Sequence, residues 1–389
     1  MADVPVRPGP PGRGRLTVGR WGGVPIALEP SWFLSVILVG LALRLILFPP
    51  DRPDPGPVLA WGLALAATLF FFAGILGHEL AHAWMARARG IPVEGITLNF
   101  LGGAAEIVDD VPGPRDEALI SLAGPAVTFA LAGVCAIVQR GLEAAAPALP
   151  PGLLQPAAGL AFTAGVLAGL QVWLGAFNAA PCFPLDGGRV LRAILWRTTH
   201  SYLRATRYAA RLGQALGWLL LLFGVLQFLR GYTLDGWYIP IGWFLQSTAQ
   251  QGYRQAQVQV ALRRIPVRTI METGFPWAPE SLTLDIAWQQ HFAERGAAGL
   301  PVIAGGSFAG IVTRGDVRRT PPAAWPATAV AAVMTPLAAL QTVDVHATAE
   351  SALRTLQTAG VRQAPVLENG RVVGLVTAAG IVRLLPTGI

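Results

Sequence analysis

Apolar residues run almost unbroken through six stretches of the first 251 residues, and a mixed polar and apolar pattern follows from about 262 to the end. Runs of this length predict membrane-spanning helices at about 26–48, 58–86, 117–139, 158–180, 206–229 and 237–251. The last is short and broken by Pro240 and Gly242. Between the second and third, IPVEGITLNFLGGAAEIVDD alternates and is rich in β-branched residues, which predicts a membrane-associated β-hairpin around Gly102 and Gly103. Such backbone is tolerated at membrane depth only inside protein or along a water-filled cavity. An edge strand there would hold an extended peptide by strand addition; an ordinary surface hairpin is the plainer alternative. Residues 1–20 are rich in Pro, Gly and Arg, lack the apolar core of a signal peptide, and are expected to be an unstructured tail.

The soluble end is a duplication. Gly296, Pro301, Val302, Gly310, Val312 and Thr313 recur as Gly360, Pro365, Val366, Gly374, Val376 and Thr377, at a constant offset of 64. Each copy predicts a helix, a strand, a hairpin turn (Gly305-Gly306 or Asn369-Gly370), a second strand ending in Thr, and a helix. The expected division is a tail at 1–20, a membrane domain at 21–255, and repeats at 262–322 and 328–389.

Composition sharpens this picture. A mean hydropathy of +0.50 with 13% charged residues over 389 positions excludes an ordinary soluble protein. The net charge of +7 is carried by arginine, since the chain contains no lysine. A basic chain suggests nucleic acid, but these arginines cluster beside the spans, so topology accounts for them and no nucleic-acid partner is expected. Thirteen (Arg7, Arg13, Arg15, Arg20, Arg87, Arg89, Arg115, Arg189, Arg192, Arg197, Arg204, Arg207, Arg211) fall on one side and three (Arg52, Arg140, Arg230) on the other. The rule that positive charge stays inside then puts both termini and the repeats in the cytoplasm. Cys135 and Cys182 lie in apolar segments without metal-motif spacing and are read as small buried side chains.

Candidate chemistry is concentrated in the second span. His78-Glu79-Leu80-Ala81-His82 holds the only ionisable groups between Val58 and Ala86. Ionisable groups at membrane depth are costly and mark a functional site by default. On a helix, two imidazoles four residues apart project from one face and can share a tetrahedral metal, with Glu79 placed to act on a water. The fourth span ends in NAAPCFPLDGG, where Pro181 and Pro184 prevent a regular helix and Asp186 is the one carboxylate. By its place alone Asp186 is a cap for the next helix. Beside the histidine pair it is the candidate third ligand.

HELAH and the pattern Asn178, Pro181, Pro184, Leu185, Asp186, Gly187, Gly188 together resemble the paired signatures of the site-2 protease family of intramembrane zinc metallopeptidases. Asn99-Phe100-Leu101-Gly102-Gly103 and Ser121-Leu122-Ala123-Gly124-Pro125 are similar to lesser features of that family. The resemblance covers about residues 15–255. It implies a polytopic α-helical membrane enzyme of a prokaryotic cell membrane with one Zn2+ per chain, held by His78, His82 and Asp186. It implies Glu79 as catalytic acid/base, Asn178 as a holder of the substrate backbone, and cleavage of membrane-anchored proteins by zinc-activated water. The arginine bias places that cleavage near the cytoplasmic side, and the hairpin edge at Gly102 and Gly103 is a second expected holder of the extended chain. Asn178 could equally satisfy carbonyls freed by Pro181.

The duplicated end resembles a tandem of CBS domains of α/β fold. Family pairs bind adenine nucleotides through a Thr-x-x-Asp, which the first repeat keeps at Thr313 and Asp316; the second has Gly380 in place of the acid. At most one standard nucleotide site is expected, and a homodimerisation module without ligand is the alternative. A CBS-regulated transporter or channel explains neither HELAH nor the broken helix at Asp186. A catalytically inactive family member conflicts with the presence of all four chemical residues.

Overall fold

Proline opens each of the four long helices that begin the membrane unit, where its missing N–H costs nothing and its fixed φ suits the first turn. These are α1 (Pro30–Leu47), α2 (Pro57–Ala88), α3 (Pro114–Ala145) and α4 (Pro151–Asn178). The amphipathic α5 (Asp186–Thr199), then α6 (Tyr202–Leu229) and α7 (Tyr238–Arg263), follow. The computed structural model describes residues 15–49, 56–100, 102–107, 111–232, 236–274, 276–297 and 299–383. It divides into two compact units, 1–253 and 254–389.

Among the described residues five helices, α1 to α4 and α6, are long and apolar enough to cross a membrane. Their outward faces carry side chains such as Leu38, Leu45, Leu65, Trp173 and Leu222, all exposed, as a lipid-facing surface requires. The expected sixth span at 237–251 does not meet that standard, and instead forms the start of a helix that runs on to Arg263. Pro240 does not interrupt it because it falls in the first turn, where proline is tolerated. Gly242 does not interrupt it either: a Cβ there would lie 2.5 Å from the Gly217 carbonyl oxygen, so it is a point of close packing on α6. Gly224 meets Ile239, and Gly217 meets Gln246, in the same way. The pairing runs antiparallel, so α7 lies back along α6 through its first three turns.

The membrane unit also contains a four-stranded sheet in the order β1-β2-β3-β4, from β1 (Leu16–Trp21), β2 (Val24–Leu28), β3 (Val93–Asn99) and β4 (Gly102–Ile107). The first two strands correct the expectation of a structureless tail and of a helix from 26, while residues 1–14 of that tail lie outside the described residues. The hairpin is present, with Asn99 paired to Gly102, so both glycines lie on β4. Serines of α1 satisfy the turn's backbone: Ser35 donates to the Phe100 carbonyl at 2.9 Å and Ser31 accepts from the Phe100 N–H at 3.2 Å. Such satisfaction is what irregular backbone among membrane helices needs.

In the second unit the offset of 64 extends to backbone detail. Strands β5 (Ala278–Pro279), β6 (Gly299–Ala304), β7 (Ser307–Thr313) and β8 (Thr335–Pro336) form one sheet. Strands β9 (Val343–Asp344), β10 (Gln363–Glu368) and β11 (Arg371–Thr377) form the other. The bulge after Val302 recurs after Val366, and both hairpin turns take two residues at positive φ. In space, however, the repeats exchange their leading segments. Leu262 and Val267 lie in the core around Val366 and Val376, and Val330 lies in the core around Val302 and Val312. The expected repeat at 262–322 is therefore not a spatial unit by itself.

Candidate metal centre

His78 and His82 lie one turn apart on the buried face of α2, with rings edge to face at 4.7 Å. Asp186 is the first residue of α5, brought to them by the break between α4 and α5. It is not that helix's N-cap; Leu185 is, and it makes no side-chain cap. Asp186 Oδ2 lies 3.0 Å from His78 Nε2 and 3.2 Å from His82 Nε2, and the two Nε2 atoms are 3.1 Å apart. Among the described residues this is the one cluster of three or more metal-ligating side chains.

The surroundings fix the tautomers. Thr128 Oγ1 donates to the Gly124 carbonyl at 3.2 Å, so it accepts from His78 Nδ1–H at 2.9 Å. The Ile120 carbonyl accepts from His82 Nδ1–H at 2.6 Å. With its proton held at Nδ1, each ring in its neutral form would present an unprotonated Nε2 to the carboxylate. One extra proton would serve one of the three contacts, whereas one cation serves all three. A tetrahedral zinc with bonds of about 2.0–2.1 Å sets its ligand atoms about 3.3 Å apart, close to the observed triangle, and leaves a fourth position. The residues present fit zinc.

Two glycines shape the space. A Cβ on Gly124 of α3 would fall 2.3 Å from His82 Nε2 and 2.6 Å from His78 Nε2, so only glycine lets α3 back onto the site. A Cβ on Gly103 of β4 would fall 2.5 Å from Glu79 Cγ. The half-buried Glu79 thus lies directly against the edge strand. The glycine pair sits not in the turn but on β4, where Gly103 makes room for the carboxylate. Asn178, also half-buried, is the last residue of α4. Sequence reasoning located the Ser121–Pro125 motif without giving Gly124 a role, and it missed Ile120 and Thr128; the available signal was Thr128 one helical turn beyond Gly124.

In the second unit Thr313 and Asp316 form a capping box. Asp316 Oδ2 accepts from the Thr313 N–H at 2.8 Å and its hydroxyl at 2.7 Å, and Arg319 pairs with Oδ1. The second repeat keeps only half of this, the Gly380 N–H donating to Thr377 Oγ1 at 3.0 Å. Helix capping is thus a use of both residues within the fold.

Three side chains that could hold a metal, set among helices of membrane-crossing length, fit a metalloenzyme of the membrane interior. Comparison with known proteins makes the class specific. The family model described as Peptidase family M50 matches residues 66–147 and 154–220, and that of the CBS domain matches 267–322 and 330–387. A Synechocystis sp. protein, sll0528, provisionally named a zinc metalloprotease, is 30% identical over 381 residues, 96% of each chain. Rip3 of Mycobacterium tuberculosis, named in the same way, is 30% identical over 380 residues, 96% of this chain and 93% of that one. Among solved structures, the site-2 protease from Methanocaldococcus jannaschii is 27% identical, covering 61% of this chain and 95% of its own, with a TM-score of 0.41. The chain belongs to peptidase family M50, the zinc metalloproteases of the site-2 protease kind, and carries a pair of CBS domains.

Proposed function

We propose that the chain cleaves a peptide bond of a membrane-anchored protein close to the cytoplasmic face, with His78, His82 and Asp186 holding one zinc ion and Glu79 moving the proton. The observation that carries this reading is the convergence of three acceptor atoms within 3.2 Å, each histidine turned by a hydrogen bond at its far nitrogen. Zinc supplies a Lewis acid that polarises a carbonyl and brings the pKa of a water to about 7. Glu79 takes the proton from the attacking water and returns it to the leaving amine. The edge of β4 beside Glu79 suits an extended substrate chain, because a helical one keeps its carbonyls hydrogen-bonded and shielded. Asn178, where α4 ends, is placed to hold that chain's backbone. A transporter or an inactive holder of membrane partners gives the converging triad no role. The CBS tandem is read as a regulatory or dimerising attachment.

Metal analysis of the purified protein tests the ligand set. About one zinc per chain is expected, falling to background in a His78→Ala, His82→Ala variant. Undiminished zinc in that variant would remove the basis of the proposal.

Orientation belongs to the same reading. The antiparallel glycine seam between α6 and α7 supports counting the start of α7 as a return through the layer that α6 crosses. That makes the number of crossings even and, with the arginine bias, leaves both termini cytoplasmic. Protease protection of a C-terminal tag in sealed inside-out vesicles checks this: the tag should be digested. A tag that survives would make five crossings the right count.

A further inference from the structure

Charged side chains are scarce among these helices, yet two of them meet in the seam between α3 and α5. Glu117 is 1% exposed and Arg192 is 8% exposed. Arg192 Nε donates to Glu117 Oε1 at 2.6 Å, and a second guanidinium nitrogen reaches the same oxygen. Glu117 Oε2 is buried with no hydrogen-bond partner. The guanidinium also lies 5.2 Å from the Phe183 ring and 5.0 Å from the Tyr202 ring. Two charges withdrawn from water are seldom worth more to stability than two well-packed apolar side chains, so stability alone is a weak reason for this pair.

Its location suggests another. Glu117 lies one turn before Ile120 on α3, the helix whose Ile120 carbonyl and Thr128 hydroxyl turn the two histidines. Arg192 lies on α5 beyond Asp186, and Phe183 lies just before it, so the guanidinium grips the chain on both sides of the aspartate. We infer that Glu117 and Arg192 are positioning residues, fixing α5 against α3 so that Asp186 Oδ2 stands equally close to both imidazoles. Asp186 is the one member of the triad not on α2, so its placement depends most on such a link. The inference rests on Asp186 being a zinc ligand.

The test uses the full chain in detergent, with zinc affinity measured by chelator competition beside thermal unfolding of the zinc-free protein. Glu117→Leu combined with Arg192→Met removes both charges at similar volume. It is expected to unfold no lower than the parent but to bind zinc about 10–100-fold more weakly, the scale on which groups that orient ligands act. Arg192→Lys keeps a charge opposite Glu117 but not the planar fork, and should bind zinc more tightly than the double variant. Zinc affinity in the double variant within roughly twofold of the parent, against that 10–100-fold scale, would overturn the inference. So would a lysine variant no better than the double one. A parent chain that binds no zinc would overturn the ligand reading itself.

Discussion

Glu79→Gln is expected to keep its zinc and to lose peptide hydrolysis by about 10²–10⁴-fold, the usual contribution of a general acid/base. The amide keeps the shape that Gly103 accommodates, so the packing of α2 on β4 should survive. What it loses is the capacity to accept a proton from water and hand it on. Turnover of a membrane-anchored reporter in proteoliposomes, with zinc content measured on the same preparation, separates the two effects. A rate within a few-fold of the parent would remove Glu79 from the chemistry. Loss of zinc together with activity would make it a structural support of the site instead.

Gly124→Ala should do the opposite, abolishing zinc binding while leaving the helix intact. In an ordinary helix interior, replacing glycine by alanine gains about 1 kcal/mol. At position 124 the added carbon would fall 2.3 Å and 2.6 Å from the two Nε2 atoms, inside the space a bound ion shares with them. Helix propensity therefore predicts a slightly more stable chain and sterics predicts an empty site, and the steric effect decides function. Gly133→Ala on the same helix is the control, because a Cβ there meets nothing within 4 Å. Zinc content near that of the parent in Gly124→Ala would mean that α3 can withdraw from the histidines at little cost.

The histidine pair, the aspartate and the duplicated tail were legible because each is a local pattern: a spacing of four, a carboxylate among prolines and glycines, and a shift of 64. What sequence could not give depends on partners far apart in the chain. Gly124 offers no side chain to notice, and its importance exists only because α2 crosses it. Glu117 and Arg192 are 75 residues apart, and each alone looks like a flanking charge. Strand β1 was hidden because all six of its residues are exposed, so its alternation carried no sign of burial. The hairpin was centred on Gly102 and Gly103, which look like turn residues but lie on β4, where Gly103 makes room for Glu79. Pro240 and Gly242 look like helix breakers, and neither acts as one where it stands, in a first turn and against a facing glycine.

The exchange of leading segments between the two repeats sets how this tail can change over time. A chain ending after the first repeat would leave Leu262 and Val267 with no core to enter, and one lacking the first would leave Val330 in the same position. Each half taken alone lacks part of a core, so gain or loss of the tail is expected in steps of a whole pair. Single-repeat descendants should be rare, and a recombination point between the halves, however natural the loop looks in sequence, would divide both cores at once.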